Sequence, residues 1–285
     1  MKDRFDFTPE EICEFHVSEN RKRLWACEIE LLEMLEKVCC KYHINYFMIY
    51  GAAIGAVRHH GFIPWDDDID VGMMREDLDI LLKVWPEEFP EYVDLQYGIM
   101  EQGFSQLARI RDSRTTGITR SELNYKGNKG AFIEVYPYDY VDDNLIRKMQ
   151  LSINSVLCKH IGQRKWVWWL YEKTCRIQNG KKDRRKYIDT IAIPAYSKEN
   201  RGMIRVEDVK EFVYLPFEYI KARLPIGYDR CLRIQYGDYM QLPPVEKRGM
   251  NHERIVFYDP TKSYKEYEES SVIDQYFRGE VSDTL

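Results

Sequence analysis

The sequence predicts a mixed α/β domain of the α+β class, with a helix ahead of it and a mainly helical segment behind it. Three observations predict this. Apolar positions at helical spacing fill the segment that ends near residue 42. A short apolar run then ends at Gly51 and leads into a second helix and a second strand. Further short apolar runs follow at residues 95–100, 106–111 and 131–136.

Leu24, Glu28, Leu31, Leu32, Leu35 and Val38 recur near the helical period, so residues 1–42 are expected to brace the core as a helix. Residues 46–50 are apolar and stop at glycine, which reads as a buried strand. Residues 52–59 can open a helix at that glycine, and residues 69–73 read as the next strand. Leu78, Leu81, Leu82 and Trp85 give residues 76–85 a helical period that Pro86 is expected to stop. A strand–turn–helix–strand unit followed by more strands implies a mixed sheet, placed here in residues 43–143. Residues 144–285 read as mainly helical to about residue 182 and again at 229–235. Pro243-Pro244 and Asp259-Pro260 then mark turns, and the end from about residue 266 is polar.

Bulk composition narrows the function. The chain has 285 residues, 44% hydrophobic, with a formal net charge of −5, which suits a soluble domain and argues against a nucleic-acid binder. The seven cysteines include no C-x-x-C pair, and Cys39 and Cys40 are adjacent, so reduced thiols are expected rather than zinc or a disulfide framework. The opening residues MKDRFDFTPEE hold no apolar run after their basic residues, and the apolar stretch around residues 167–171 is too short to span a bilayer. A cytoplasmic protein is expected, without a transmembrane segment and able to touch the inner membrane face peripherally.

The chemistry concentrates in Pro64-Trp65-Asp66-Asp67-Asp68-Ile69-Asp70-Val71. Crowding carboxylates this way is unfavourable unless cations or water offset the charge. On a strand, Asp68 and Asp70 point to one face while Ile69 and Val71 enter the core. Two carboxylates on one face suit Mg²⁺ or Mn²⁺. A calcium loop is the rival, but Val71 stands where such a loop needs glycine, and Asp77 where it needs glutamate. A solvated acidic turn is the bland alternative.

Upstream, backbone N–H groups at Gly51 and Ala52 can cradle phosphate oxygens, with Gly55 close by and Arg58 able to add a bidentate contact. Glu134, between apolar neighbours on residues 130–136, can complete the metal site or take a proton if its strand lies beside residues 69–73. Arg109 and Arg111 alternate with Ala108 and Ile110. They can bind phosphate or sugar, or equally pair with the acidic cluster.

The run from Tyr50 to Asp70, YGAAIGAVRHHGFIPWDDDID, resembles the signature of the LicD phosphotransferases, relatives of the fukutin-type proteins. Ala108 to Ser113, Gly130 to Asp139, and Tyr236 to Pro244 with Lys247, Arg248 and His252 resemble the same family, so the similarity covers residues 41–252. The resemblance implies a polymerase β-like nucleotidyltransferase core in residues 43–143. It also implies a CDP-alcohol donor, best known as CDP-choline, and transfer of phosphocholine to a sugar of a cell-surface glycan or lipid-linked glycan such as teichoic acid or lipopolysaccharide. It places catalysis on Asp68, Asp70, Glu134 and Asp66, with the metal, Mg²⁺ or Mn²⁺, on Asp68, Asp70 and Glu134.

Phosphate binding is expected from Gly51, Ala52, Gly55, Arg58, Lys247, Arg248 and His252, the last three on a substrate-facing loop at residues 236–252. Arg109, Arg111, Tyr136 and Asp139 are candidates for substrate. Two departures stand out: Ala52 where the family often has a hydroxyl residue, and Glu134 where it usually has aspartate. A choline head group needs aromatic faces, for which Trp166, Trp168, Trp169, Tyr171, Tyr136 and Tyr138 are available, although core packing explains tryptophans more simply. Other readings are a nucleotidyltransferase that places NMP on a small molecule, a non-catalytic glycan-binding module, and a calcium-binding structural domain.

Overall fold

A computed structural model describes residues 4–100, 103–119, 122, 127–160, 164–193, 202–249, 255–267 and 278. A small antiparallel hairpin, β1 (Glu10–Ile12) with β2 (Phe15–Val17), precedes the long helix α1 (Glu19–Tyr42). Ser18 caps α1, its hydroxyl accepting from the Arg21 N–H at 3.0 Å, which satisfies one of the orphan donors of the first turn. His43 ends α1 in the left-handed region at φ 57°. Trp25, Ile29, Leu32 and Leu35 bury the apolar face of α1 against the sheet.

β3 (Tyr46–Met48) follows, then α2 (Tyr50–Ile54), which passes into a π-helical turn at Gly55–His59. β4 (Asp70–Met74) leads directly into α3 (Arg75–Glu88). Pro86 does not stop α3 as the sequence predicts. It sits one turn from the end, where only the bond to residue 82 is forfeited, and the Phe89 N–H closes on the Trp85 carbonyl at 3.3 Å.

The sheet continues through β5 (Val93–Met100) and β6 (Gly103–Asp112). β7 (Thr116–Thr119) then turns away, and β8 (Ala131–Val141) runs through the middle. β8 organises the molecule. Its first half pairs antiparallel with β6 and parallel with β4, in a register that sets Asp70 beside Glu134. Its second half pairs with β9 (Tyr187–Asp189), which pairs with β10 (Ile204–Arg205). Between β8 and β9, α4 (Leu145–Leu157) and α5 (Lys165–Cys175) pack on each other.

The segment after residue 202 carries strands beside the helix expected at residues 229–235. It contains the hairpin of β11 (Phe212–Phe217) and β12 (Ile220–Pro225), the helix α6 (Tyr228–Tyr236), and β13 (Ile255–Asp259), which pairs with β7. The expected α+β class, with its mixed sheet, is what the chain adopts. The cysteines are free thiols, and no helix among the described residues is long and apolar enough to cross a membrane.

A buried ionic knot ties the layers together. Arg75 donates from Nε and Nη2 to Asp139 at 2.7 and 2.6 Å, and from Nη1 to Tyr97 and Glu172 at 2.8 and 2.9 Å. Asn179 donates to Asp139 at 2.7 Å. Such a knot fixes geometry, because removing one partner strands a buried charge.

Candidate active site

The acidic run forms a tight loop pinned from α1. Arg21 Nη1 and Trp25 Nε1 both donate to the Asp66 carbonyl, at 3.2 and 3.0 Å. The Asp66 N–H closes a turn on the Ile63 carbonyl at 2.9 Å. Asp67 accepts the Ile255 N–H of β13 at 2.8 Å through one carboxylate oxygen. Asp68 lies in the extended segment just ahead of β4, not within a strand as expected, and Asp70 is the first residue of β4.

Two sets of oxygens nevertheless converge. Asp68, Asp70 and Glu134 offer carboxylate oxygens within 4.8 Å of one another, and so do Asp66, Asp67 and Asp68. All five residues are buried. Hard oxygen donors this close fit a small divalent ion, whose bonds to oxygen are about 2.0–2.6 Å long. Glu134 is oriented by Arg109 Nε at 2.8 Å and by the Tyr136 hydroxyl at 3.0 Å.

A cleft of about 560 Å³ opens beside this cluster. Gly51, Arg58, Asp66, Asp68 and Asp70 line it together with residues from 236 to 244. Gly51 lies against Asp66: a Cβ there would sit 2.2 Å from its carboxylate oxygen, so a side chain at this position would displace that carboxylate. Arg58 Nη1 donates to the Tyr239 carbonyl at 2.6 Å and Nε to His59 Nε2 at 2.9 Å, which holds the guanidinium at the cleft wall. His59 must be neutral to accept, and burial, then the charges of Arg58 and His60, push its pKa down to about 4.

Other sequence-predicted residues fall outside the cleft lining. Ala52 is buried, and Gly55 is a packing glycine whose added Cβ would meet the Gly61 carbonyl at 2.4 Å. Arg111 is fully buried, donating to Gln96 at 2.9 Å and to the Gly130 carbonyl at 2.8 Å, and pairing with Glu122. Asp139 is fully buried in the Arg75 knot, and Tyr136 is fully buried with its ring edge-on to Tyr50. Arg109 bridges Glu134 and Glu122, the pairing with acidic residues that the sequence offered beside phosphate or sugar binding.

On the final loop, residues 236–244 fold back onto the cleft, but Lys247 is exposed outside it. Arg248 is committed to the Pro243 carbonyl at 3.0 Å and to Glu14 at 3.1 Å. His252 lies outside the described residues. Of the aromatics, Tyr138 and Tyr171 are fully buried, Trp168 stacks on Tyr171, and Trp166 and Trp169 are exposed on α5. Those that face the cleft are Tyr50, Trp65, Tyr236 and Tyr239.

One further carboxyl, which the sequence assigns only to the packing face of α1, lies beside the cluster. Glu28, on the core face of α1, is fully buried with neither oxygen hydrogen-bonded. Burial, then the neighbouring charges of Asp68, Asp67, Asp66 and Asp70, push its pKa well up. The signal was present in the sequence: a glutamate at a position that the helical period assigns to the core.

The core and its carboxylate-lined cleft define an α+β domain of the nucleotidyltransferase type. A family model described as LicD/FKTN/FKRP, nucleotidyltransferase domain, matches residues 43–154. The lipopolysaccharide cholinephosphotransferase LicD of Haemophilus influenzae (strain ATCC 51907 / DSM 11121 / KW20 / Rd) is 30% identical over 258 residues, covering 81% of this chain and 95% of that protein. Shorter matches join the chain to uncharacterized proteins of Rickettsia prowazekii (strain Madrid E), 40% identical over 58 residues, and Rickettsia typhi (strain ATCC VR-144 / Wilmington), 44% over 48. These cover 20% and 17% of this chain, and 22% and 16% of the respective relatives. The chain belongs to the LicD family. It is a phosphotransferase enzyme.

Proposed function

We propose that this enzyme moves phosphocholine, or a related alcohol phosphate, from a CDP-activated donor to a sugar of a cell-surface glycan. The acceptor is of the lipopolysaccharide or teichoic-acid type, and the same reading has the enzyme act in the cytoplasm. The observation that carries the proposal is the meeting of Asp68, Asp70 and Glu134 oxygens beside a cleft that Gly51 and Arg58 line. The relative that spans most of the chain is named for transfer of cholinephosphate to lipopolysaccharide.

In this reading Asp68, Asp70 and Glu134 hold Mg²⁺ or Mn²⁺, which supplies positive charge against the donor phosphates. Arg58 and the backbone at Gly51 bind and orient the diphosphate. The acceptor hydroxyl oxygen attacks the phosphorus that carries choline. The bond from that phosphorus to the bridging oxygen breaks, CMP departs with the electron pair, and the hydroxyl proton passes to a carboxylate of the cluster. Arg109 and Tyr136 keep Glu134 in position. Tyr50, Tyr236, Tyr239 and Trp65 offer aromatic faces to a quaternary ammonium, which cannot donate hydrogen bonds.

Incubating the purified enzyme with CDP-choline, CDP-glycerol and CDP-ribitol, with and without Mg²⁺, tests the reading by product analysis. CMP released from CDP-choline together with phosphocholine-labelled glycan supports it. Pyrophosphate released from a nucleoside triphosphate, with no CMP from any CDP-alcohol, replaces it with NMP transfer.

A further inference from the structure

α4 and α5 present an apolar face that nothing among the described residues covers. Leu145, Met149, Ile153 and Val156 recur at helical spacing along α4, and Leu145 is 71% exposed. On α5 the large rings of Trp166 and Trp169 stand 58% and 61% exposed beside Leu170. The inner faces of both helices are accounted for: Gln150 and Asn154 of α4, and Val167, Tyr171 and Cys175 of α5, are buried. The outward face is therefore not a core stripe in the wrong place.

Its charge is one-sided. Residues 144–171 contain no aspartate or glutamate, in a chain whose formal net charge is −5. Lys148, Lys159, Arg164 and Lys165 are exposed around the apolar stripe. Lys173 lies with Nζ 5.6 Å from the Trp169 ring centre. Glu172, the first acid beyond, turns inward to Arg75 and Arg176.

We infer that this face docks on the surface of an anionic phospholipid bilayer. Apolar side chains with exposed tryptophans, ringed by lysine and arginine, match the boundary between headgroups and acyl chains. Lysine stems can lie along the apolar layer while their ammonium groups reach lipid phosphate. A second copy of the chain is a poorer occupant, because a two-fold contact through this face would bring the same basic rim against itself.

Co-sedimentation of the full chain with vesicles tests the inference. Vesicles of phosphatidylglycerol and phosphatidylcholine should bind the wild type, and vesicles of phosphatidylcholine alone should bind it about tenfold less. Trp166→Glu with Trp169→Glu should weaken binding to the anionic vesicles by about tenfold or more. Lys148→Glu with Lys165→Glu should abolish the preference for anionic lipid. All four positions are exposed, and circular dichroism with a melting curve checks that each variant folds. Independently of any variant, brominated phosphatidylglycerol should quench wild-type tryptophan fluorescence. Failure of the wild type to sediment with anionic vesicles, absence of quenching, or undiminished binding by the folded tryptophan variant overturns the inference. A dimer in solution that the tryptophan substitutions dissolve would overturn it too, by assigning the face to a second copy.

Discussion

Two clusters of buried charge sit on the same central strand and are built on opposite plans. At the far end of β8, Asp139 is matched by Arg75, and Glu172 by Arg75 and Arg176, with short bonds to the guanidinium groups. At the near end, Glu134 joins Asp66, Asp67, Asp68, Asp70 and the buried Glu28. There Arg21 holds the Asp66 carbonyl and Arg109 holds Glu134, and the carboxylate oxygens converge on one another. The first cluster is electrically closed and holds layers together. The second gathers carboxylate oxygens within 4.8 Å of one another in a buried setting, an arrangement that a divalent cation would stabilise. The difference contrasts a structural ion network with the cluster to which the proposed function assigns the metal.

Breaking the closed cluster should have the largest effect on stability. Arg75→Ala leaves Asp139 buried without its partner and should cost about 3–5 kcal/mol in urea unfolding, with activity falling only as the folded fraction falls. An Arg75→Ala protein as stable as wild type would erase the contrast. In the open cluster, Asp68→Asn or Asp70→Asn should do the reverse. Turnover should drop at least ~100-fold, as for loss of a strong electrostatic stabiliser, while the melting temperature without divalent ions holds or rises.

Glu28→Gln sharpens the comparison further. A folded-state pKa raised by burial means the folded protein holds a proton that the unfolded chain releases above its ordinary pKa of 4.5. That contribution to stability is complete below the ordinary pKa and is lost as pH rises through the folded-state value. In EDTA the Gln variant should therefore be more stable than wild type by roughly 1 kcal/mol or more near neutral pH, with the gap narrowing toward pH 4.5.

Near neutral pH His59 should give the smallest effect, and toward acid pH its sign is opposite to that of Glu28. Its pKa is lowered from 6.5 to about 4, so its contribution is present above 6.5 and lost as pH falls toward 4. His59→Gln, which retains an acceptor for Arg58 Nε, should flatten that part of the pH–stability curve.

Much of this was legible in the sequence, and the limits are physical. The period of α1, the apolar runs of β3, β4 and β8, and the glycine between β3 and the π-helical turn all report local chemistry. The crowding of four aspartates from Asp66 to Asp70 likewise marks the acidic centre without any fold. What local pattern cannot carry is the identity of the partner across space. Asp139 and Asp70 lie on the same sheet, yet only the packing of α3 brings Arg75 to the former. Arg111 shares a strand with Arg109, yet Gln96 and Glu122 enclose it. The β11–β12 hairpin leaves a weak trace in the sequence because its pattern, broken by Pro216, is half exposed. Pro86 misled because a proline near a helix end costs little.

Binding of Mn²⁺, followed by the loss of its free-ion paramagnetic resonance signal, tests the central claim most directly. The wild-type chain should take up the ion, CDP-choline should tighten its binding, and Asp68→Asn should lose both properties while remaining folded. Wild-type protein that leaves the Mn²⁺ signal unchanged, or an Asp68→Asn variant that binds the ion as well as wild type does, would contradict the account.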